Sequence, residues 1–433
     1  MSALSGIALC QTTSELAGTV TDSTGASVPA VTLLVVNQGT NASREVKTDD
    51  AGQYRVPFLL PGQYTISVEK SGFRPVRQAG VRLEVNQTAR IDFVMEVGNV
   101  SETLEVVAST PLVEAGTSSL GQVIETKLIQ ELPLNGRNFV QLATLGPGVT
   151  GVGFGARGTI MNGTRPADLR PGSEIFSNGN REGANNFMMD GIDNNVRQNF
   201  AITLRPSVEA VREFKIQTNL FAAEQGRNPG ATVNVITKSG SNQWHGSVYD
   251  FLRNSNFDAR DYFAAPGAAK PAFRQNQFGG SVGGRIIKDK LFFFANYEGF
   301  RRSLTNVGVN TVPLEAVRGG DFSAVRDVFD PFSVRAQAGT TSGYVRDPFP
   351  ARKIPTSRFD PVTAKLVQAY PLPVRAGLAN NFTSTPKDGQ NWDQGDLRVD
   401  YNLSPRDQIF ARYSRQDTLT IKPSTFQPVM LPG

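Results

Sequence analysis

Few residues in this 433-residue chain have types and spacings suited to chemistry. Asp190-Gly-Ile-Asp193-Asn-Asn195 sets oxygen ligands at calcium-like intervals. It lacks the closing Glu and the full ligand series of a calcium loop, so a polar turn is its expected role. Gly151-Val-Gly-Phe-Gly155 has glycines that could cradle a phosphate, but neither the spacing nor the strand–loop–helix setting, and it reads as a flexible loop. Glu209 and Glu213 stand four residues apart with Arg212 beside them, the pattern of two carboxylates on one charged helix face. Trp244 and His245 open a strand, where an interfacial aromatic is ordinary. Cys10 is the single cysteine, which excludes a disulfide within the chain, and His245 is the single histidine. A lone histidine argues against multi-histidine metal sites and leaves histidine-based catalysis little to work with. No nucleophile–base–orienter set is visible. The expectation is a non-enzyme with no catalytic residue, metal or cofactor.

The elements that would carry these residues are mainly β. Gly 42 and Pro 26, with strands separated by Asn, Ser, Thr and Gly, favour strands over helices. No run of about 18 apolar residues occurs, so no transmembrane helix is expected; a barrel would show none, because only alternate residues of its strands need be apolar. Val233, Val235 and Ile236 end in a Lys238-Ser-Gly-Ser-Asn242 turn, after which Ser247, Tyr249 and Phe251 alternate with Gly246, Val248 and Asp250. Such alternation puts one set of side chains on each face of a sheet. It recurs in Phe278–Ile286, in the aromatic run Lys290–Phe300, in Leu397–Leu403 and in Ile409–Ser414. Residues 303–391 form a long Pro-rich segment, too long for a structureless stretch in a compact domain but suited to a loop between barrel strands. The net charge of +5 is uneven, with +7 over residues 241–433. The basic residues are scattered, with no basic helix and no aromatic RNA-binding signature, so nucleic acid is not an expected partner.

Residues 12–98 read as a β-sandwich of short strands: Leu16–Val20, a buried strand Val31–Val36, Arg44–Thr48, Gln53–Val56, Tyr64–Glu69, Val81–Val85 and Ala89–Met95. The strings Gly18-Thr-Val-Thr-Asp22, Thr48-Asp-Asp-Ala-Gly-Gln-Tyr54 and Leu60-Pro-Gly-Gln-Tyr64 resemble the carboxypeptidase regulatory-like domain, which implies a transthyretin-like sandwich. Ahead of it, Ala8-Leu9-Cys10 before Gln11 fits a small-x-small cleavage site, so residues 1–11 read as a signal-peptide remnant, with a disordered extension as the other reading.

The Asn234–Arg253 stretch resembles the plug-to-barrel junction of TonB-dependent outer-membrane receptors, closest to their Oar-like branch with its extra N-terminal domain. Residues 112–240 resemble the plug nearly throughout, through Gln130–Phe139, Asn185–Asn195, Ser207–Ile216 and Gly230–Lys238. Residues 241–433 resemble a partial outer-membrane β-barrel carrying the loop 303–391. The expected fold is therefore a β-sandwich, an α+β plug, and the first strands of an incomplete antiparallel barrel. About five strands are visible, against about eight in the smallest barrels, so the chain reads as the front part of a receptor.

Within the connector 99–111, the string Glu102, Thr103, Leu104, Glu105, Val106, Val107, Ala108 resembles the TonB box. A mobile, β-prone segment can add as a strand to a partner's sheet edge; an ordinary short strand is the plainer reading. The resemblance implies an outer-membrane location with sandwich and plug on the periplasmic side, and a periplasmic TonB-type energy-transducing partner. It also implies contact with outer-membrane lipid and uptake of a ligand such as a siderophore, glycan, peptide or protein. Ligand contacts are expected in loops around Arg157–Asn195 and after Ser303. The alternative is a surface carbohydrate- or protein-binding adhesion protein anchored by a barrel.

Overall fold

The computed structural model describes residues 13–98, 104–107, 119–151, 175–196, 202–221, 228–260, 262, 270–339, 341–405, 407–421 and 423. The chain divides into two compact units, one of residues 1–250, 277–299 and 393–417, the other of 251–276, 300–392 and 418–433.

The first unit opens with a sandwich. Its strands are β1 (Ser14–Asp22), β2 (Thr32–Asn37), β3 (Ser43–Lys47), β4 (Gln53–Leu59), β5 (Gly62–Glu69), β6 (Val76–Leu83), β7 (Thr88–Arg90) and β8 (Phe93–Met95). One sheet runs β4-β1-β7 with β8 also on β1; the other runs β3-β2-β5-β6 and ends on β9 (Leu104–Val107). Period-2 alternation turns Leu16, Val20, Leu33, Val35, Ile66 and Val68 into one apolar core, each of them fully buried. The stretch expected to be buried throughout, Val31–Val36, instead alternates: Leu34 is 38% exposed, because β2 packs against the opposite sheet on one face only. The strand expected at Val81 begins earlier, at Val76. Burial pushes the Tyr54 phenol up from its usual range, and its hydroxyl donates to the Ile91 carbonyl at 2.7 Å.

The central sheet comprises β10 (Leu120–Glu125), β13 (Asn186–Met189), β14 (Ile192–Asp193), β15 (Val211–Asn219) and β16 (Thr232–Thr237), in the order β10-β15-β16-β13-β14. A short helix, α1 (Thr126–Glu131), and a 3-10 turn at Phe139–Leu145 cover it, and β11 (Val149–Gly151) pairs with β12 (Ile175–Ser177). All six residues of β16 are buried, as a central strand covered on both faces requires. Phe139 and Phe214 meet at 5.5 Å within a core that includes Ile124, Phe187, Ile216 and Val233.

A five-stranded C-terminal sheet follows, ordered β17 (His245–Asn254), β18 (Phe273–Ile287), β19 (Leu291–Thr305), β24 (Lys387–Asn402) and β25 (Gln408–Ile421). Among the described residues this sheet is open. One face exposes Leu397, Tyr401, Ile409 and Tyr413; the other buries Asn296, Glu298, Gln394, Asp396 and Arg398. The same inner face also buries Phe292 and Phe294, so it is mixed, while the outer face is apolar as in a barrel wall.

In the second unit, the segment 303–391, expected as a long loop between barrel strands, carries short elements of its own, and the strands on either side run into it. β19 continues to Thr305 and β24 begins at Lys387. Between them lie β20 (Gly308–Asn310) paired with β23 (Phe382–Ser384), β21 (Arg335–Ala336) paired with β22 (Tyr344–Val345), α2 (Glu315–Arg318) and α3 (Pro361–Gln368). Asn381 explains part of this order: its amide accepts from Val312 N at 2.8 Å and donates to Val312 O at 2.9 Å. Asp360 caps α3 by accepting from the Val362 and Thr363 amides, and Pro361 sits at the first helical position.

Candidate functional site

Asp190 occupies the two-residue turn between β13 and β14. Met189 and Ile192 pair across it, and Asp190 and Gly191 adopt φ of 50° and 81°. Positive φ at both positions makes this a type I′ hairpin turn, for which Asp-Gly is a favoured sequence. The turn aims the carboxylate into the interior, where it is 4% exposed. Thr237, at the end of β16, donates its amide at 2.9 Å and its hydroxyl at 2.8 Å to the two carboxylate oxygens.

The remaining partners come from the inner face of the C-terminal sheet. Arg398 on β24 reaches Asp190 Oδ1 with Nη1 at 3.0 Å, and Arg412 on β25 lies with Nε 2.9 Å from Oδ2. Arg398 also holds Asp400 through Nη2 at 2.8 Å and covers the Phe410 ring at 4.6 Å. Two carboxylates and two guanidinium groups therefore balance in a buried knot. Gln394 adds a neutral tie, donating to the Arg205 carbonyl at 2.8 Å. A second seam runs through Glu209, which pairs with Arg137; that guanidinium lies over Tyr249 at 4.9 Å, and Tyr249 donates to Glu298 at 3.0 Å.

The sandwich is joined to the central sheet by polar contacts of the same sort. The Val85 amide donates to Glu213 at 2.6 Å, Lys215 donates to the Asn86 carbonyl at 3.2 Å, and Arg82 lies 3.1 Å from Glu125. Burial pushes the Glu213 carboxyl up from its usual range and the Lys238 ammonium down. Asp289, in the turn between β18 and β19, accepts from Asn41 of the sandwich and from Asn242, both at 2.8 Å. A cavity of about 530 Å³ lies at this junction, lined by Arg44, Tyr64, Arg212, Lys288 and Asp400 among others.

These positions correct two sequence expectations. Glu209 and Glu213 do not share a helix face: Glu209 lies in the one-turn 3-10 segment Val208–Ala210 and Glu213 in β15. Nor do they form a charged surface, since both are buried against basic or amide partners. Asp190–Asn195 is a polar turn, as expected, but it serves as an anchor rather than as a bare solvent loop. Asn195 secures it from within by donating to Asn186 and accepting from the Phe187 amide. Among the described residues no group of three or more His, Cys, Asp or Glu could hold a metal ion. Trp244 is mostly exposed and meets Phe293 edge-on at 5.4 Å, and His245 is exposed at the start of β17.

Of the glycine loop only Gly151 is described, and the loop residues 157–174 expected to meet ligand lie outside the described residues. So do Glu102, Thr103 and Ala108 of the connector string. Leu104, Glu105, Val106 and Val107 form β9, which pairs in parallel with β6. Arg398 and Arg412 were legible only as members of a polar strand face. Their partner stands 208 residues from Arg398, and no local signal could have joined them.

Comparison with known proteins adds to this geometry. A family described as carboxypeptidase regulatory-like domain matches residues 15–96, and one described as outer membrane beta barrel domain matches residues 236–432. The chain is 30% identical over 358 residues to the TonB-dependent transporter Oar of Myxococcus xanthus, covering 79% of this chain and 32% of that protein. It thus spans about a third of the length of this curated relative. Among solved structures it is similar to the siderophore receptor PirA from Acinetobacter baumannii, at 15% identity and a TM-score of 0.37, covering 70% of this chain and 32% of that one. A hydroxyquinol 1,2-dioxygenase from Pseudomonas putida DLL-E4 matches 20% of this chain and 57% of its own, at 12% identity and a TM-score of 0.18.

Proposed function

We propose, from its match to an outer membrane beta barrel domain and to a carboxypeptidase regulatory-like domain and from its likeness to a TonB-dependent transporter, that the chain belongs to an outer-membrane receptor of the Oar-like branch and serves ligand uptake driven from the periplasm. Residues 112–240 act as the plug, with the sandwich on the periplasmic side. The ligand, whose class is open among siderophore, glycan, peptide and protein, is captured above the plug. A TonB-type protein takes the connector near Glu102–Ala108 as an added strand and pulls. The energy comes from that partner, so the chain needs no nucleotide site or catalytic group of its own.

The observation that carries this reading is the Asp190 knot. The central sheet is tied to the inner face of the C-terminal sheet by ion pairs and hydrogen bonds rather than by a continuous apolar core. Once a tie of this kind is strained, water can solvate each freed group, so the plug can leave the wall without exposing a large apolar surface.

The test uses the intact receptor in detergent and the purified periplasmic domain of its host's TonB-type protein. Deleting residues 101–109 is expected to abolish binding of that periplasmic domain while leaving the receptor's outer-membrane level unchanged. Binding undiminished by the deletion would overturn the reading and favour a barrel-anchored adhesion protein.

A further inference from the structure

We propose that the sandwich is an intramolecular competitor for the connector: the β6 edge holds residues Leu104–Val107 as a strand, so the periplasmic partner must win that strand from the sandwich before it can pull. This rests on the connector reading given above.

Two independent observations meet in these four residues. The sequence marks them as an extended, β-prone string just ahead of the plug. The structure places the same residues on β6 in parallel register, with Val76 opposite Leu104, Arg77 opposite Glu105, Gln78 opposite Val106 and Ala79 opposite Val107. Without β9, β6 would be the bare edge of the sheet β3-β2-β5-β6, with unpaired amides and carbonyls open to any extended chain. A partner that binds by strand addition offers the connector the same kind of ladder. One strand edge of the connector cannot serve both, so occupancy of β6 subtracts from the population open to the partner.

The ladder is short by construction. Gly80 takes φ of 75° directly after the last paired residue, so the extended backbone of β6 breaks where the pairing stops. On the other side of β6, the pairing with β5 shifts register between Tyr64 and Ile66, near the same point. Four residues of edge pairing form a clasp that opens reversibly, and the sandwich core beneath it need not change.

The experiment keeps the intact receptor and uses the labelled periplasmic domain of the host's TonB-type protein as probe. Gln78→Cys with Val106→Cys puts a thiol at each of two register partners. Oxidation is expected to join them and abolish probe binding, and reductant to restore it, while either cysteine alone leaves binding unchanged. Arg77→Glu, at an exposed position, places a negative charge at the register partner of Glu105 and is expected to loosen the ladder. If the clasp is closed most of the time, this variant should bind the probe about threefold to tenfold more tightly. Failure of the cysteine pair to join overturns the proposal. So does probe binding that is unmoved by both the joined pair and Arg77→Glu while deletion of 101–109 still abolishes it; that result leaves the connector reading intact. If the deletion itself leaves binding unchanged, the connector reading falls and takes the clasp with it.

Discussion

The sandwich and the central sheet are both β structures closed by an apolar cluster, yet they bury different things. In the sandwich the buried polar side chains are Ser14, Thr48 and Gln87, and the core from Leu16 to Met95 is hydrocarbon apart from two tyrosines, whose hydroxyls reach backbone carbonyls. The central sheet buries Asp190, Glu209, Glu213, Lys215, Gln217 and Asn234 alongside its apolar cluster. Buried charge is weak support for stability, because desolvation offsets most of the attraction, but it strongly fixes geometry and is costly to half-remove. The sandwich is therefore built to stay folded on its own core. The central sheet is held in one place against its neighbours by polar ties.

The sharpest way to break this contrast is at Asp190. Asp190→Ala leaves Arg398 with Asp400 and the Thr237 hydroxyl, takes from Arg412 the carboxylate it pairs with, and removes both acceptors of Thr237. Truncating one side of a buried ion pair costs about 3–5 kcal/mol. Urea unfolding of the detergent-solubilised protein, followed by hydrogen exchange in β16, should show that loss there and little change in β2. Asp190→Asn should fall between, since it loses the charge but keeps an acceptor for Thr237. An equal loss in both sheets would mean that the two regions unfold as one and that the contrast has no energetic content.

The mirror experiment is Leu33→Ala. Leu33 is fully buried in the sandwich, and a Leu→Ala truncation in a packed core costs about 2–5 kcal/mol in lost transfer energy and cavity. The loss should appear in β2 and β5 exchange and leave β16 as it was. A smaller effect is expected from Tyr54→Phe. It orphans the Ile91 carbonyl but keeps the ring, for about 1 kcal/mol in sandwich unfolding.

Sequence and structure agree best where the physics is local. Period-2 alternation and the short polar turns were legible, because each needs only a few adjacent residues. The Glu209/Glu213 reading failed for the same reason. A four-residue interval suits a helix, but Val211, Phe214 and Ile216 are claimed by the core as a strand, and tertiary burial outweighs spacing. The segment after Thr305 read only as a long loop because Pro and Gly punctuate it. Its order comes from side chain-to-backbone bonds such as those of Asn381 to Val312 and of Arg318 to Tyr370, which leave no periodic trace. The Asp190 knot joins residues too far apart in sequence for any window to connect.

The finest discrimination between the two regions is at their shared boundary, through pH. Desolvation raises the Glu213 carboxyl above its unfolded value, and the opposing pull of Arg212 and of the Val85 amide does not cancel it. A raised folded value means that the folded state binds the proton more tightly than the unfolded chain. The associated stability is fully present below the unfolded carboxylate pKa of about 4.3 and is lost as pH rises through the folded value. Hydrogen exchange at the Val85 amide, which donates to Glu213, should therefore quicken as pH rises through that window, beyond the intrinsic base-catalysed trend. Glu213→Gln keeps an acceptor for Val85 and removes the titration, so its corrected exchange should be flat over the same range. Amides within the sandwich core, such as that of Ile66, should be flat in both proteins, since no comparable carboxylate is buried there. If Ile66 follows Val85, the boundary and the sandwich core open as one unit, and the pH response belongs to the whole domain rather than to the polar joint.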